Sequence, residues 1–90
     1  MKRPARYRVE VPRAVRKALA RLGAALRERI LRALIALESD PRPPGAAKMQ
    51  GEDPTWRLRV GDYRILYEIH DRELLVLVIR IAHRREAYRR

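Results

Sequence analysis

The second half of the chain is three segments of alternating or apolar residues separated by two short turns, and this pattern allows few folds. Residues 55–60 alternate strictly between polar and apolar side chains, as in a strand with one buried face. Gly61 and Asp62 predict a tight turn, and residues 63–69 a second strand. After another turn at residues 70–72, residues 73–82 are nearly all aliphatic, which predicts a central strand buried on both faces. Three strands joined in this way form an antiparallel meander.

The first half predicts one short strand and two helices. Residues 7–11 alternate as a strand does, and Pro12 suits the first position of a helix because its missing N–H needs no partner there. Gly23 offers a break between the helices. The expected apolar face of the first helix is Val15, Leu19 and Leu22. The expected face of the second is Leu26, Ile30, Leu34 and Leu37, widened by Leu31 and Ile35.

These elements define an α+β fold. Residues 40–54 are interrupted by prolines and glycines, so we expect a loop between the helices and the meander. The expected order is β-α-α-β-β-β with a short closing helical turn. The two helices form a hairpin packed on one face of a mainly antiparallel four-stranded sheet. Residues 1–90 are one domain, with Trp56 and Tyr67 in its core.

The charge of the chain indicates an anionic partner. Its 90 residues include 22 basic and 11 acidic ones, which gives a formal net charge of +11. Such an excess is typical of proteins that bind nucleic acid or an acidic protein segment. Cysteine is absent, so thiolate metal sites are excluded, and we predict neither a metal nor a cofactor. The sequence shows no signal peptide or membrane span, so we expect a cytoplasmic protein without a membrane partner.

Residues 83–90 concentrate the groups that could act on a phosphate. They place one imidazole, four guanidinium groups and one phenol directly after the predicted buried strand. Guanidinium groups hold phosphates through two parallel hydrogen bonds. His83 or Tyr88 could move a proton beside them. The pattern therefore predicts phosphodiester binding and, with a proton-transfer group present, cleavage.

Four segments match a known family in their order and spacing. They are residues 40–43, 48–51, 56–67 and 81–88. Together they resemble toxins of the RelE/ParE superfamily, from toxin–antitoxin operons, over nearly the whole chain. The resemblance implies a cytoplasmic toxin whose sheet binds RNA. It also implies a cognate antitoxin, with an acidic or amphipathic segment, that wraps the toxin and blocks it.

The resemblance also implies a reaction and a set of residues. RelE-type members cut mRNA in the ribosomal A site without a metal: a 2′-hydroxyl attacks the adjacent phosphate and leaves a 2′,3′-cyclic phosphate. Lys48, Arg64, Arg84 and Tyr88 fall on the catalytic positions. We expect Arg64 to stabilise the transition state, Arg84 to bind the scissile phosphate and Tyr88 to act as the base. His83 is a candidate acid. The residues expected to contact RNA without taking part in the chemistry are Arg57, Arg59, Arg85 and Arg89.

Other functions remain open at this point. A ParE-like member would share the fold, lack the catalytic set and inhibit DNA gyrase without chemistry. A catalytically impaired homologue would still bind RNA or the ribosome, and a plain basic nucleic-acid-binding protein would not be toxic. Gln50 stands where the RelE-type pattern has a second basic residue, which leaves phosphate stabilisation one charge short.

Overall fold

The computed structural model describes residues 6–83 and residue 85. It contains two helices on one mixed sheet with strand order β1-β5-β4-β3-β2, in which β1 runs parallel to β5 and the other pairs are antiparallel. The α+β class and the helical hairpin are confirmed. In chain order the elements are β1 (Arg8–Glu10), α1 (Arg13–Ala20), α2 (Ala24–Ala36), β2 (Ala47–Lys48), β3 (Thr55–Val60), β4 (Tyr63–His70) and β5 (Leu75–His83).

The sheet has five strands, so the prediction of four was wrong. The additional strand, β2, pairs with the outer edge of β3, with Ala47 opposite Arg57 and Lys48 opposite Trp56. Two residues are too few to show an alternating pattern, and proline-rich sequence surrounds them. Neither described helix is long and apolar enough to cross a lipid bilayer.

The core lies between the helices and one face of the sheet. Tyr67 is fully buried, as predicted. Its hydroxyl donates a 2.8 Å hydrogen bond to the carbonyl oxygen of Pro41, and burial raises its pKa to about 12. Trp56 packs at the margin of the core, with the Arg42 guanidinium 5.3 Å from its ring centre. The remaining buried apolar side chains include Val15, Leu19, Ile30, Leu34, Leu37, Ile65, Val76, Val78 and Ile81.

Helix α2 buries a narrower stripe than its sequence predicts. Ile30 and Leu34 are buried, whereas Leu31 and Ile35 are 41% and 61% exposed. Only one side of a helix can face a flat sheet. Leu31 and Ile35 instead line a shallow groove beside β1 at the edge of the molecule. Their predicted place in the core was therefore wrong.

Strand β5 departs from its prediction at both ends and in the middle. It begins at Leu75, because residues 71–74 form the turn after β4. Leu66 pairs with Arg80 and Tyr67 with Val78, so Ile79 is an extra residue in a β-bulge. A bulge shifts the alternation of a strand by one residue. Consequently Ile79 and Arg80 are both exposed, and the predicted burial on both faces was wrong there.

A charged cluster fastens the loop after α2 to the β4–β5 turn. Arg42 donates two hydrogen bonds to the carboxylate of Asp71, at 3.2 and 2.9 Å, and the Tyr7 hydroxyl donates a third at 2.6 Å. The bonds from Arg42 and Tyr7 lower the pKa of Asp71. The bond to Asp71 in turn raises the pKa of Tyr7.

Candidate functional site

The candidate site lies on the face of the sheet that the helices do not cover, which we call the open face. Ile65 and Tyr67 point into the core, so the alternate residues of β4 point to the open face. Arg64 is one of them, and it pairs directly with Arg59 on β3. The next row of the ladder runs from Arg57 through Leu66 to Arg80. Residues paired across a ladder share a face, so four arginines lie together.

These four residues form a concentration of positive charge that we call the arginine end. Its members are Arg57, Arg59, Arg64 and Arg80. In the described part of the chain, the other residues of these two rows are Ala47, Leu66 and Ala82, so the rows contain no carboxylate. Like charges directly opposite on neighbouring strands are destabilising. Such an arrangement suits an anionic ligand with several phosphate groups.

At the opposite end of the open face each acidic side chain contacts a basic side chain or an imidazole, and we call it the paired end. Arg8 and Glu10 on β1 are joined by a 3.0 Å ion pair. Glu68 and His70 on β4 are joined by a 3.0 Å contact between a carboxylate oxygen and Nε2. The charged side chains of the open face are thus distributed unevenly along its strands. The positive surplus lies near the β3–β4 turn.

The structure brings some of the predicted site residues together. Arg57, Arg59 and Arg64 share the arginine end, and Arg59 also donates from Nε to the carbonyl oxygen of Gly61 at 3.0 Å. Lys48 is exposed on the edge strand. It lines a depression of about 240 Å³ with Arg57 and other residues of the same edge. Because Lys48 pairs with Trp56, its row belongs to the core side of the sheet and not to the face of Arg57. The two side chains meet around the sheet edge, in this depression, which Asp53 also lines.

His83 lies on the other face from Arg64. It pairs with Tyr63 across β4 and β5, and the two rings meet edge to face with their centres 5.3 Å apart. Tyr63 packs against the core. Because Tyr63 and Arg64 are neighbours on one strand, their side chains point to opposite faces. The structure therefore does not place the His83 imidazole beside Arg64 on the open face.

The remaining candidates lie in the tail. Arg85 is exposed, and its backbone N–H donates to Nδ1 of His83 at 3.3 Å. Arg84, Tyr88 and Arg89 lie outside the described residues, as does the predicted closing helical turn beyond Arg85. Their roles remain predictions from the resemblance.

Arg80 was missed by sequence reasoning. It lies within the aliphatic segment read as a strand buried on both faces, and simple alternation from the buried Val76 and Val78 would point it into the core. The bulge at Ile79 turns it to the open face. The one available signal was the arginine itself, since a charged residue is almost never fully buried without a partner.

Comparison with known proteins identifies the family to which the chain belongs. The family model of the ParE toxin of type II toxin–antitoxin systems matches residues 9–88. The chain therefore belongs to this family, within the RelE/ParE superfamily, and is a toxin of a type II toxin–antitoxin system. A search of curated proteins gave no significant match.

Solved structures of RelE toxins share the fold. The archaeal RelE–RelB complex of Pyrococcus horikoshii contains a chain with 30% identity and a TM-score of 0.78, over 87% of this chain and 94% of that one. The RelBE2 toxin–antitoxin complex of Mycobacterium tuberculosis gives 25% identity and a TM-score of 0.76, over 87% and 98%. The intact Escherichia coli RelBE complex gives 23% identity and 0.73, over 86% and 95%. All three were solved as toxin–antitoxin complexes.

Proposed function

We propose that this toxin is a ribosome-dependent endoribonuclease that binds an mRNA strand across its open face and cleaves it in the A site. The observation that carries the proposal is the arginine end. Arg59 stands directly opposite Arg64, and Arg57 and Arg80 lie in the adjacent row. Arginines opposite one another on neighbouring strands repel each other. An RNA backbone would supply the negative charge that offsets this repulsion.

The proposed reaction needs no group beyond the RNA, the side chains and water. The 2′-oxygen gives its proton to the base and attacks the adjacent phosphorus, and the bond from phosphorus to the 5′-oxygen breaks. The departing oxygen takes a proton from water, and the proton held by the base neutralises the hydroxide that is left. Negative charge grows on the phosphate as the 2′-oxygen attacks. Arg64 is the second residue of β4 and is paired with β3 on one side and β5 on the other, so its backbone is held rigidly while the guanidinium meets that charge.

The proton transfers are assigned from the resemblance. Tyr88 takes the 2′-proton as the base. Arg84 binds the scissile phosphate. His83 lies on the helix-covered face, opposite Tyr63, so it is not proposed as the acid here. Lys48 shares the depression at the sheet edge with Arg57, and we assign it to a flanking phosphate and not to a proton transfer.

The proposal includes the partners that such a toxin requires. The ribosome and its mRNA are the targets, and the cytoplasm is the place of action. A cognate antitoxin with an acidic or amphipathic segment blocks the toxin. The similar toxins of Pyrococcus horikoshii and Mycobacterium tuberculosis were solved in complex with RelB-type antitoxins. The formal charge of +11 favours an acidic segment here.

A second candidate function is inhibition of DNA gyrase without catalysis. The matching family model is that of ParE toxins, and His83 does not join the arginine end. In this alternative the open face contacts gyrase or its DNA, and no residue acts as acid or base. Tyr88→Phe and His83→Ala would then leave toxicity unchanged.

A toeprint assay on translating ribosomes separates the two functions. Wild type should create new mRNA 3′ ends in the A site, and the Arg84→Ala/Tyr88→Ala variant should not. The same preparations would be added to a gyrase supercoiling assay. If wild type leaves mRNA intact and stops supercoiling, the ribonuclease proposal is wrong and the gyrase alternative holds.

A further inference from the structure

A second basic site lies around the β3–β4 turn, on the helix side of the sheet. There, a depression of about 600 Å³ opens between the first turns of α2 and the ends of β3, β4 and β5. We call it the turn pocket. Its walls are Leu26, Arg29, Arg59, Gly61, Asp62, Tyr63 and His83.

Two guanidinium groups converge on the turn at the pocket's centre. Arg59 donates from Nε to the carbonyl oxygen of Gly61 at 3.0 Å. Arg29 reaches the same glycine from the helix, since a β-carbon built on Gly61 would lie 3.3 Å from its Nη1. Gly61 has a φ of 61°, in the left-handed region that glycine adopts without strain. A glycine here lets the turn form and leaves room for Arg29.

The lining of the pocket suits a phosphate group. Three of its side chains are basic, Arg29, Arg59 and His83, and the one carboxylate among its lining residues belongs to Asp62. The edge-to-face pair of Tyr63 and His83 forms one wall. Guanidinium groups present several N–H donors in one plane, so a group with several acceptor oxygens can bridge two of them.

The turn pocket is continuous with the arginine end through Arg59. By its register this residue belongs to the open face, opposite Arg64. Its side chain nevertheless curls to the turn and lines the pocket. A nucleic acid strand that leaves the open face past the β3–β4 turn would meet the pocket next.

We propose that the turn pocket binds one phosphate of RNA, next to the site of cleavage and separate from it, held between Arg29 and Arg59. This inference rests on the proposed RNA-binding function. Two sources could supply the phosphate, namely the mRNA strand itself or the ribosomal RNA around it. The chemistry of recognition is the same for both.

The test compares two variants that remove the same charge from one helix. Arg29→Gln alters the pocket. Arg32→Gln lies one turn further along α2, in a 2.6 Å ion pair with Glu28, and does not line the pocket. Affinity is measured for ribosomes programmed with an mRNA whose A-site codon carries 2′-deoxyriboses, which prevents cleavage. Arg29→Gln should weaken binding about tenfold, the size of one charge-assisted hydrogen bond. Arg32→Gln should change it less than twofold.

Single methylphosphonates in the mRNA identify the source of the phosphate. One neutral linkage beside the A-site codon should weaken wild type about tenfold and should weaken Arg29→Gln no further, because both changes remove the same contact. If no linkage behaves in this way, and Arg29→Gln also binds ribosomes without mRNA about tenfold more weakly, the phosphate comes from ribosomal RNA.

The outcomes that overturn the inference differ from those that overturn the proposed function. Equal ribosome affinity for Arg29→Gln and Arg32→Gln, with cleavage intact in wild type, rejects the turn pocket alone. Loss of antitoxin binding in Arg29→Gln with normal ribosome binding would assign the pocket to a carboxylate of the antitoxin and reject RNA there. If wild type binds no ribosome at all, the proposed function fails and the inference fails with it.

Discussion

The arginine end and the paired end are built on the same strands, yet their charges are arranged in opposite ways. At the paired end, Arg8 is matched by Glu10 and Glu68 by His70, each within 3.0 Å. At the arginine end, Arg59 stands opposite Arg64, with no carboxylate in the described rows around them. Like charges opposite one another weaken a sheet, so the first arrangement adds stability, whereas the proposed RNA ligand would offset the repulsion in the second.

The largest effect is expected when one positive charge is removed at the arginine end. The same change at the paired end is its control. Arg64→Gln should lower mRNA cleavage about 100-fold or more, because one preformed contact to the developing charge is lost. Its melting temperature should stay near that of wild type. Arg8→Gln, at the paired end, should leave cleavage within about twofold, since exposed ion pairs contribute little beyond about 1 kcal/mol of stability. The measurements are single-turnover cleavage on ribosomes and thermal unfolding.

The reverse pattern would break the comparison. If Arg8→Gln slowed cleavage as much as Arg64→Gln, the whole open face would act as one electrostatic surface. If Arg64→Gln unfolded the protein, Arg64 would be a structural residue and the assignment of its end to a ligand would lose its basis.

Loss of a buried hydrogen bond in the core should lower the stability of the protein and leave its activity unchanged. Tyr67→Phe removes the hydroxyl that donates to Pro41 and leaves that carbonyl buried without this donor. The free energy of unfolding should fall by about 1–3 kcal/mol. Cleavage at a temperature where the variant is folded should equal that of wild type, because the hydroxyl lies on the core side of the sheet. Urea unfolding gives the first quantity, and an equal loss of cleavage would contradict the separation.

The sequence predicts the face of each side chain where a strand alternates regularly, and fails where the alternation is interrupted. Alternation in residues 55–69 correctly placed Arg57, Arg59 and Arg64 on one face, and correctly placed Tyr67 in the core. The bulge at Ile79 has no comparable sequence signal, because an aliphatic run reads the same with or without an extra residue.

That single extra residue decides the face on which Arg80 and His83 lie. Counting without a bulge from Val78 points Arg80 into the core and His83 to the open face. The bulge exchanges these positions, so the open face gains Arg80 and His83 moves beside Tyr63. The two-residue strand β2 was missed for a different reason: its pairing comes from the edge of β3 and not from any pattern of its own.

The Asp71 cluster predicts a pH dependence that belongs to stability alone. Hydrogen bonds from Arg42 and Tyr7 lower the pKa of Asp71 in the folded state. The resulting stabilisation is present above the unfolded value, near 3.9, and is lost as the pH falls through the lower folded value. Asp71→Asn should therefore reduce the melting temperature at neutral pH and flatten its fall between about pH 5 and pH 2. If the melting temperature of Asp71→Asn falls with decreasing pH as steeply as that of wild type, other carboxyl groups cause the fall.

The smallest expected effect tests the turn that this cluster holds. Leu74 has a φ of 50°, which among the described residues makes it the one non-glycine residue with a positive φ. Left-handed backbone costs most residues about 1–2 kcal/mol, and asparagine tolerates it better than alanine does. Leu74 is 40% exposed, so truncating it loses little packing. Leu74→Asn should therefore be more stable than Leu74→Ala by a few tenths of a kcal/mol, about the size of a local backbone preference. The two variants should cleave mRNA at the same rate, because the turn adjoins the paired end. A faster or slower rate in either one would show that the β4–β5 turn contributes to the site, and the division of the open face into two ends would have to be redrawn.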